Sequence, residues 1–477
     1  MKLFSLDEPD LIFSAGNKHI DIKAGLSTFG PFDKGAENVP KPIRLGIVGT
    51  SATIEGLTAW LQSCKNGVES TESKLLNLRP SFPGVRQEKF GTWFDVSTNN
   101  TRQVSQTELR QAFNSRKPLA RLVSLFYDHA KDLADRGGLN VLLIAPPVDV
   151  FNLDQHPPQL DVDKELDESQ DAEAKYSGQN FHDLFKAEAL LLSVPCQLIR
   201  PDTFGGGSTR KKVGASIQSP SERAWNLHCA LYYKAGGIPW RLTPDSSRLA
   251  TCYVGASFFR SVDGTAVLTS VAQIFNERGE GLIVQGGNAR IDRTDRSPHL
   301  TEAESRKLLS AALASYRREH RTVPARLVLH KTSYFDSAEI AGFRLAADDE
   351  RIELLDLVSI RRSRASLLNS TQEAVRRGTM LQLDRRSGLL YLSGTIPYYG
   401  VYPGLYVPKP IEFTLDSGDA SPVELGREIL ELSKLNFNNT RFDGGDPITV
   451  RAARHVGDIL KHVAPSRNVQ SRFRYFI

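Results

Sequence analysis

The chain has 477 residues, 40% of them hydrophobic, enough for two or three sizeable cores and too many for a disordered chain. Sixty Lys and Arg against fifty-five Asp and Glu leave a net charge of +5, an excess that permits a nucleic-acid partner without requiring one. Cys64, Cys196, Cys229 and Cys252 show no C-x-x-C spacing, which argues against a zinc site, and no apolar run is long enough to span a membrane.

Buried free thiols in a reducing cytoplasm are therefore expected. The start, MKLFSLDEPDLIF, lacks the basic-then-apolar pattern of a leader, so a cytoplasmic protein is the expectation. Residues 1–42 hold short β-like runs broken by Gly and Pro, an arm too small to fold alone that packs on a neighbouring domain or a partner. From residue 43 strands and helices alternate. IRLGIVGT predicts a strand ending at Gly49, followed by a helix capped by Thr50 or Ser51. Gly46 and Gly49 lack the third glycine of a dinucleotide fingerprint, which argues against a nucleotide cofactor.

A strand over residues 89–96 and a helix over 106–136, interrupted at Pro118, come next. LNVLLIAPPVDV then supplies an apolar strand suited to the centre of a parallel sheet, and residues 154–173 read as a Pro-rich, acidic surface loop. The next stretch carries the chemistry. Leu184, Ala187, Leu190 and Leu191 recur at helical spacing, and His182 and Lys186, four apart, fall on one helix face. A short strand at 194–199 brings Gln197, and a helix from about Ser221 delivers Lys234. Two lysines, an imidazole and an amide on a helix–strand–helix unit are the donors a terminal phosphate needs, although any one of them alone reads as a solvated side chain. The loop FGGGSTRKK lacks the spacing of a P-loop.

This order, H-x-x-x-K, then P-x-Q, then Y-K-x-G-G-I-P-W, resembles the guide 5′-phosphate pocket in the MID domain of prokaryotic Argonaute proteins. The resemblance assigns the phosphate to His182, Lys186, Gln197 and Lys234. From Ser247 the pattern changes to three strands (251–261, 265–276, 281–290). A helix (302–320), a strand (325–330), a helix (336–347) and a strand (352–358) follow, the order of an RNase H-like fold such as the PIWI domain of that family. GLYVPKPIEFTL, read as a strand over 404–415, and LSKLNFNNTRFDGGDPITV resemble further PIWI segments. There Asn436, Asn438, Asn439 and Thr440 shape the guide-facing region. The implied fold is α/β, with an arm (1–42), a Rossmann-like MID domain (43–246) and an RNase H-like PIWI domain (247–477). This is the layout of the short prokaryotic Argonautes.

Slicing by this fold takes two Mg²⁺ ions held by carboxylates. At the matching positions the sequence has Ser257 and Thr332, and the last ligand would fall among Arg451 to His455, so a catalytically inactive, non-enzymatic binder is expected. Arg361, Arg362, Arg364, Arg376 and Arg377 are candidates for a basic channel. The resemblance further implies a guide RNA, a single-stranded DNA target and Mg²⁺ at the guide phosphate, with the Ile477 carboxylate as a metal ligand. It also implies an APAZ-domain effector partner, sirtuin-like rather than TIR or nuclease, that depletes NAD⁺ in antiviral defence. The rivals are an active slicer with other carboxylates and a Rossmann-type small-molecule enzyme.

Overall fold

In this computed structural model the described residues are 1–71, 75–153, 179–205, 218–244, 249–275, 281–284, 286–292, 297–363, 365, 367, 375–400, 402, 407–441, 445–464 and 467–477. The acidic loop at 154–173, most of FGGGSTRKK and Arg364 lie outside them. The arm contributes β1 (Lys2–Ser5), β2 (Leu11–Ile12), β3 (Lys18–His19) and a helix that the sequence reading missed, α1 (Ile22–Thr28), capped by Asp21. Then come β4 (Ile43–Gly49), α2 (Ser51–Lys65), α3 (Gln87–Phe90), β5 (Phe94–Gln103), α4 (Gln106–Phe113), α5 (Pro118–Asp135), β6 (Val141–Ala145) and α6 (Val148–Phe151). This part closes with α7 (Phe181–Ala189), β7 (Cys196–Leu198), α8 (Pro220–Lys234) and β8 (Arg241–Leu242).

The second part begins with β9 (Thr251–Arg260), β10 (Val267–Phe275), β11 (Leu282–Val284), β12 (Asn288–Ile291) and β13 (Pro298–His299). It continues through α9 (Glu302–His320), β14 (Arg326–Lys331), α10 (Ser337–Asp349), β15 (Leu354–Arg362), β16 (Thr379–Gln382) and β17 (Ser387–Leu390). It ends with β18 (Ile411–Ser417), α11 (Pro422–Leu432) and α12 (Ile448–Leu460).

Apolar runs set the first sheet. β4 and β6 are buried along nearly their whole length and lie side by side in the parallel order β5-β4-β6-β7, so they take its centre. β5 is an edge strand with a half-exposed, polar sequence, and it begins at Phe94. The expected strand over 89–96 is therefore displaced, and its first residues form α3 instead. Thr50 caps α2 with a reciprocal capping box, and Pro118 starts α5 at the position where its missing N–H costs nothing.

The large sheet runs β1-β16-β17-β18-β15-β14-β9-β10-β12-β13, with β11 on β10. β9, β14 and β15 are mutually parallel, while β10 and β18 flank them antiparallel. β18 starts later than the expected strand at 404–415, because Pro408 and Pro410 remove the N–H groups that a ladder needs. Helix α12 crosses β9 at Gly255, where a Cβ would stand 2.1 Å from the Thr449 carbonyl oxygen. Only glycine permits that approach.

The arm is sewn to this same chain. β1 pairs antiparallel with β16, and β2 pairs with β8. Glu8 meets the Arg377 guanidinium at 2.9 Å and the Lys434 ammonium at 3.0 Å, and Lys434 also donates to the carbonyls of Pro9 and Ile20. Arg377, 2% exposed, is thus a buried anchor for the arm and not a channel residue, which corrects the sequence reading; Arg376 remains exposed. The four cysteines are buried and unpaired. Among the described residues no helix is long and apolar enough to cross a membrane.

Candidate nucleic-acid interface

Asn180 caps α7 by accepting from the Asp183 amide at 2.8 Å, which sets the rotation of the helix and places His182 and Lys186 one turn apart. Lys234 is the last residue of α8, where a cation faces the negative end of the helix dipole. Both lysines are 1% exposed. Lys186 Nζ donates to the Cys196 carbonyl at 2.7 Å, and both Nζ groups donate to the main-chain oxygen of Ile477. Two ammonium groups on one oxygen leave more N–H donors than the main chain has acceptors.

The last residues are tied across the junction of the two sheets. Gln470 N donates to Leu190 O at 3.1 Å and Tyr475 Oη to Ser193 O at 2.8 Å, on the α7–β7 side. Phe473 N donates to Gly281 O at 2.8 Å, on the large-sheet side. Phe473, Phe476 and Ile477 are buried there, whereas Tyr475 stays partly exposed.

A cavity of about 460 Å³ opens beside Ile477, walled by Asn436, Asn438 and Asn439 and by Arg451 and His455 of α12. Arg441 also lines it; sequence reading did not single it out, although it follows N-N-T directly. Asn438 and Asn439 are therefore brought to the cavity lined by Ile477, the residue that both lysines bind. Asn436 Oδ1 accepts from the Asn438 amide and Asn439 Oδ1 from the Arg441 amide, which hold the loop's shape. Thr440 is pinned by Asn226 at 2.9 and 3.0 Å.

His182 stands at the margin, with Nδ1 2.8 Å from Asp183 Oδ1 and its ring 6.1 Å from that of His455. Gln197 makes no hydrogen bond to either lysine: its amide nitrogen donates to Leu198 O at 3.2 Å, and its Oε1 is buried without a hydrogen-bond partner. Electrostatics follow from burial. It pushes Lys186 down to about 8 and Lys234 well below the usual lysine range, the latter also by the Lys186 charge. It also pushes His455 down to about 4, helped by His182 and Lys186. An entering anion would favour the protonated forms of all three.

The second set of residues lies at the carboxyl ends of β9 and β14. Ala256 is opposite Lys331 in the parallel register, so Ser257 and Thr332 follow at the same level on neighbouring strands. Ser257 is 1% exposed and its Oγ has no partner. Strand alternation turns Lys331 to the other face, where its ammonium is held by the fully buried Glu339. Glu339 also accepts from His299 Nδ1 at 2.8 Å and from the amides of Leu300 and Asp336.

His299, Asp336 and Glu339 are close enough to hold a metal ion. The positive charge there is already supplied by Lys331 on Glu339 and by Arg290 on Asp336 at 2.8 Å, so the group is an internal ion-pair hub. Of the channel candidates, Arg361 and Arg362 sit at the end of β15, the first half-buried and the second exposed.

No protein-family model matches the sequence, and no curated protein does. Among solved structures the chain is similar to Clostridium butyricum Argonaute bound to a guide DNA and a 19-mer target DNA, with TM-score 0.67 and 14% identity over 100% of this chain and 55% of that one. It is also similar to A. aeolicus Argonaute, with TM-score 0.58 and 14% identity over 98% of this chain and 54% of that one. A structure of Aa-Ago with externally bound siRNA gives TM-score 0.59 and 14% identity over 99% and 56%. The chain thus spans a little over half the length of these structures, and the likeness is one of fold: a mixed α/β chain built on a large mixed sheet, similar to Argonaute structures.

Proposed function

We propose that this chain is a guide-directed nucleic-acid-binding protein of the Argonaute type, which holds a guide's 5′-phosphate at Lys186 and Lys234 and pairs a complementary target without cutting it. The observation that carries this reading is the convergence of two buried lysine amines on the main-chain oxygen of Ile477, a residue that lines a cavity of about 460 Å³. Charge-assisted hydrogen bonds of that kind select a phosphate dianion over a hydroxyl. His182 lies at the edge of the site, and Asn438, Asn439 and Arg451 face the first nucleotides. In this reading residues 43–246 are a MID domain and 247–477 a PIWI domain.

The two-metal chemistry of the fold's nucleases needs anionic oxygen at the positions of Ser257 and Thr332, and hydroxyls hold a small hard cation poorly. The carboxylates of Glu339 and Asp336, in the one candidate metal group among the described residues, are engaged by Lys331 and Arg290. These points support the non-cleaving reading. A resident Mg²⁺ at the guide phosphate would have the Ile477 main-chain oxygen beside it and would neutralise phosphate charge there. The guide is proposed to be RNA and the target single-stranded DNA, with an APAZ-domain partner, sirtuin-like, carrying the response.

The test is direct. Purified protein is titrated with one RNA bearing a 5′-phosphate or a 5′-hydroxyl, with and without EDTA, then given a matched DNA. Tighter binding of the phosphorylated end, by at least tenfold and reduced by EDTA, is expected, with the target left intact in Mg²⁺ and in Mn²⁺. Equal binding of both ends would remove the pocket assignment, and cuts at a fixed distance from the guide end would remove the non-cleaving one.

A further inference from the structure

Beyond Thr332 the chain turns out of the sheet, and Tyr334 emerges 38% exposed. Across the rim, Arg361 near the end of β15 lays its guanidinium 3.9 Å from the Tyr334 ring centroid. That guanidinium is pinned in place: one nitrogen donates to Tyr334 Oη and to Glu412, 3.1 Å away on the facing strand β18. The Arg361 side chain remains 35% exposed. Exposed Arg362 follows it, and half-buried Asp416, which bonds the Ser359 amide, is the other acid facing Arg361.

A long cationic side chain held flat on an exposed aromatic ring at the carboxyl ends of parallel strands is a prepared surface. Ligands of open α/β sheets gather at that edge. We propose that Tyr334 and Arg361 form a stacking clamp for the target strand where it crosses the Ser257–Thr332 rim, gripping a nucleotide that the guide leaves unpaired.

A base stacks on the guanidinium–tyrosine pair, and the donors of Arg361 not used by Glu412 and Tyr334 meet a backbone phosphate. The occupant follows from chemistry. A planar cation with open donors complements a π-face next to a phosphodiester. This inference rests on the guide-binding reading above, and it adds the residues that grip the target.

The experiment uses full-length protein loaded with 5′-phosphorylated guide, with loading measured first for every variant. Tyr334→Leu and Arg361→Gln are expected to lose about tenfold in affinity for a matched single-stranded DNA, as loss of one stacked base does. Tyr334→Phe, which keeps the ring, is expected to stay within twofold of the parent. A DNA carrying one 5-iodouracil, moved stepwise, should cross-link to Tyr334 at one register. Unchanged target affinity in Tyr334→Leu with intact loading would overturn the clamp and leave the guide pocket standing, as would an equal loss in Tyr334→Phe. Failure of the parent protein to load a phosphorylated guide would instead remove the guide-binding reading.

Discussion

Replacing Lys186 and Lys234 together with methionine is expected to erase the preference for a phosphorylated guide end, lowering affinity for it by about two to four orders of magnitude. Each charged hydrogen bond to the phosphate contributes about 1.5–3 kcal/mol, so two give about 3–6 kcal/mol. The sum falls short of additive, because both ammonium groups share the Ile477 oxygen. Methionine keeps the buried aliphatic stem, so the packing between α7, β7 and α8 survives. The single variants should each lose about ten- to a hundredfold, while binding of the 5′-hydroxyl guide changes little. The quantity to measure is the ratio of the two dissociation constants. A double variant that still prefers the phosphate by more than tenfold would sink the pocket.

Much of this cluster was legible in the sequence because its determinants are local. The four-residue spacing of His182 and Lys186 fixes a helix face, Asn180 starts that helix, and α8 ends on Lys234. Pro118 broke α4 from α5 for a reason written in one residue. Ser257 and Thr332 were matched through the family resemblance, and the parallel pairing of β9 and β14 puts them at one level. Other features depend on distant partners. Arg377 stands next to Arg376 in an open-looking basic pair, yet its guanidinium is buried by Glu8, 369 residues away. Gln197 belongs to the right strand, but its amide turns to its own neighbour Leu198, a choice of rotamer that spacing does not encode. The strand expected over 89–96 was placed too early, because β5 is a half-exposed edge strand whose polar residues after Val96 give little apolar signal.

Changing Glu339 to alanine is expected to destabilise the large-sheet half of the protein by about 3–5 kcal/mol, the cost of leaving one member of a buried ion pair behind. Glu339 and Lys331 both have fully buried side chains, and Glu339 additionally accepts hydrogen bonds from His299 Nδ1 and from two main-chain amides. Its removal strands four donors at once. Burial already lowers the Lys331 pKa, and the carboxylate is the largest influence that opposes this. Without it the lysine side chain sheds its proton or draws in water. Lys331→Met should cost less than Glu339→Ala, because the methionine fills the lysine's volume, and Glu339→Leu with Lys331→Met should recover part of the loss. Urea unfolding of the parent, Glu339→Leu, Lys331→Met and the double variant gives a coupling energy, expected to exceed about 1 kcal/mol. Strictly additive effects would mean that the pair does not act as a unit. The same hub holds β13 and the start of α10 against the end of β14, the strand whose exit carries Thr332 and Tyr334. Loosening it should therefore weaken target binding before it weakens guide loading, since the two lysines sit on α7 and α8, which the hub's hydrogen bonds do not reach.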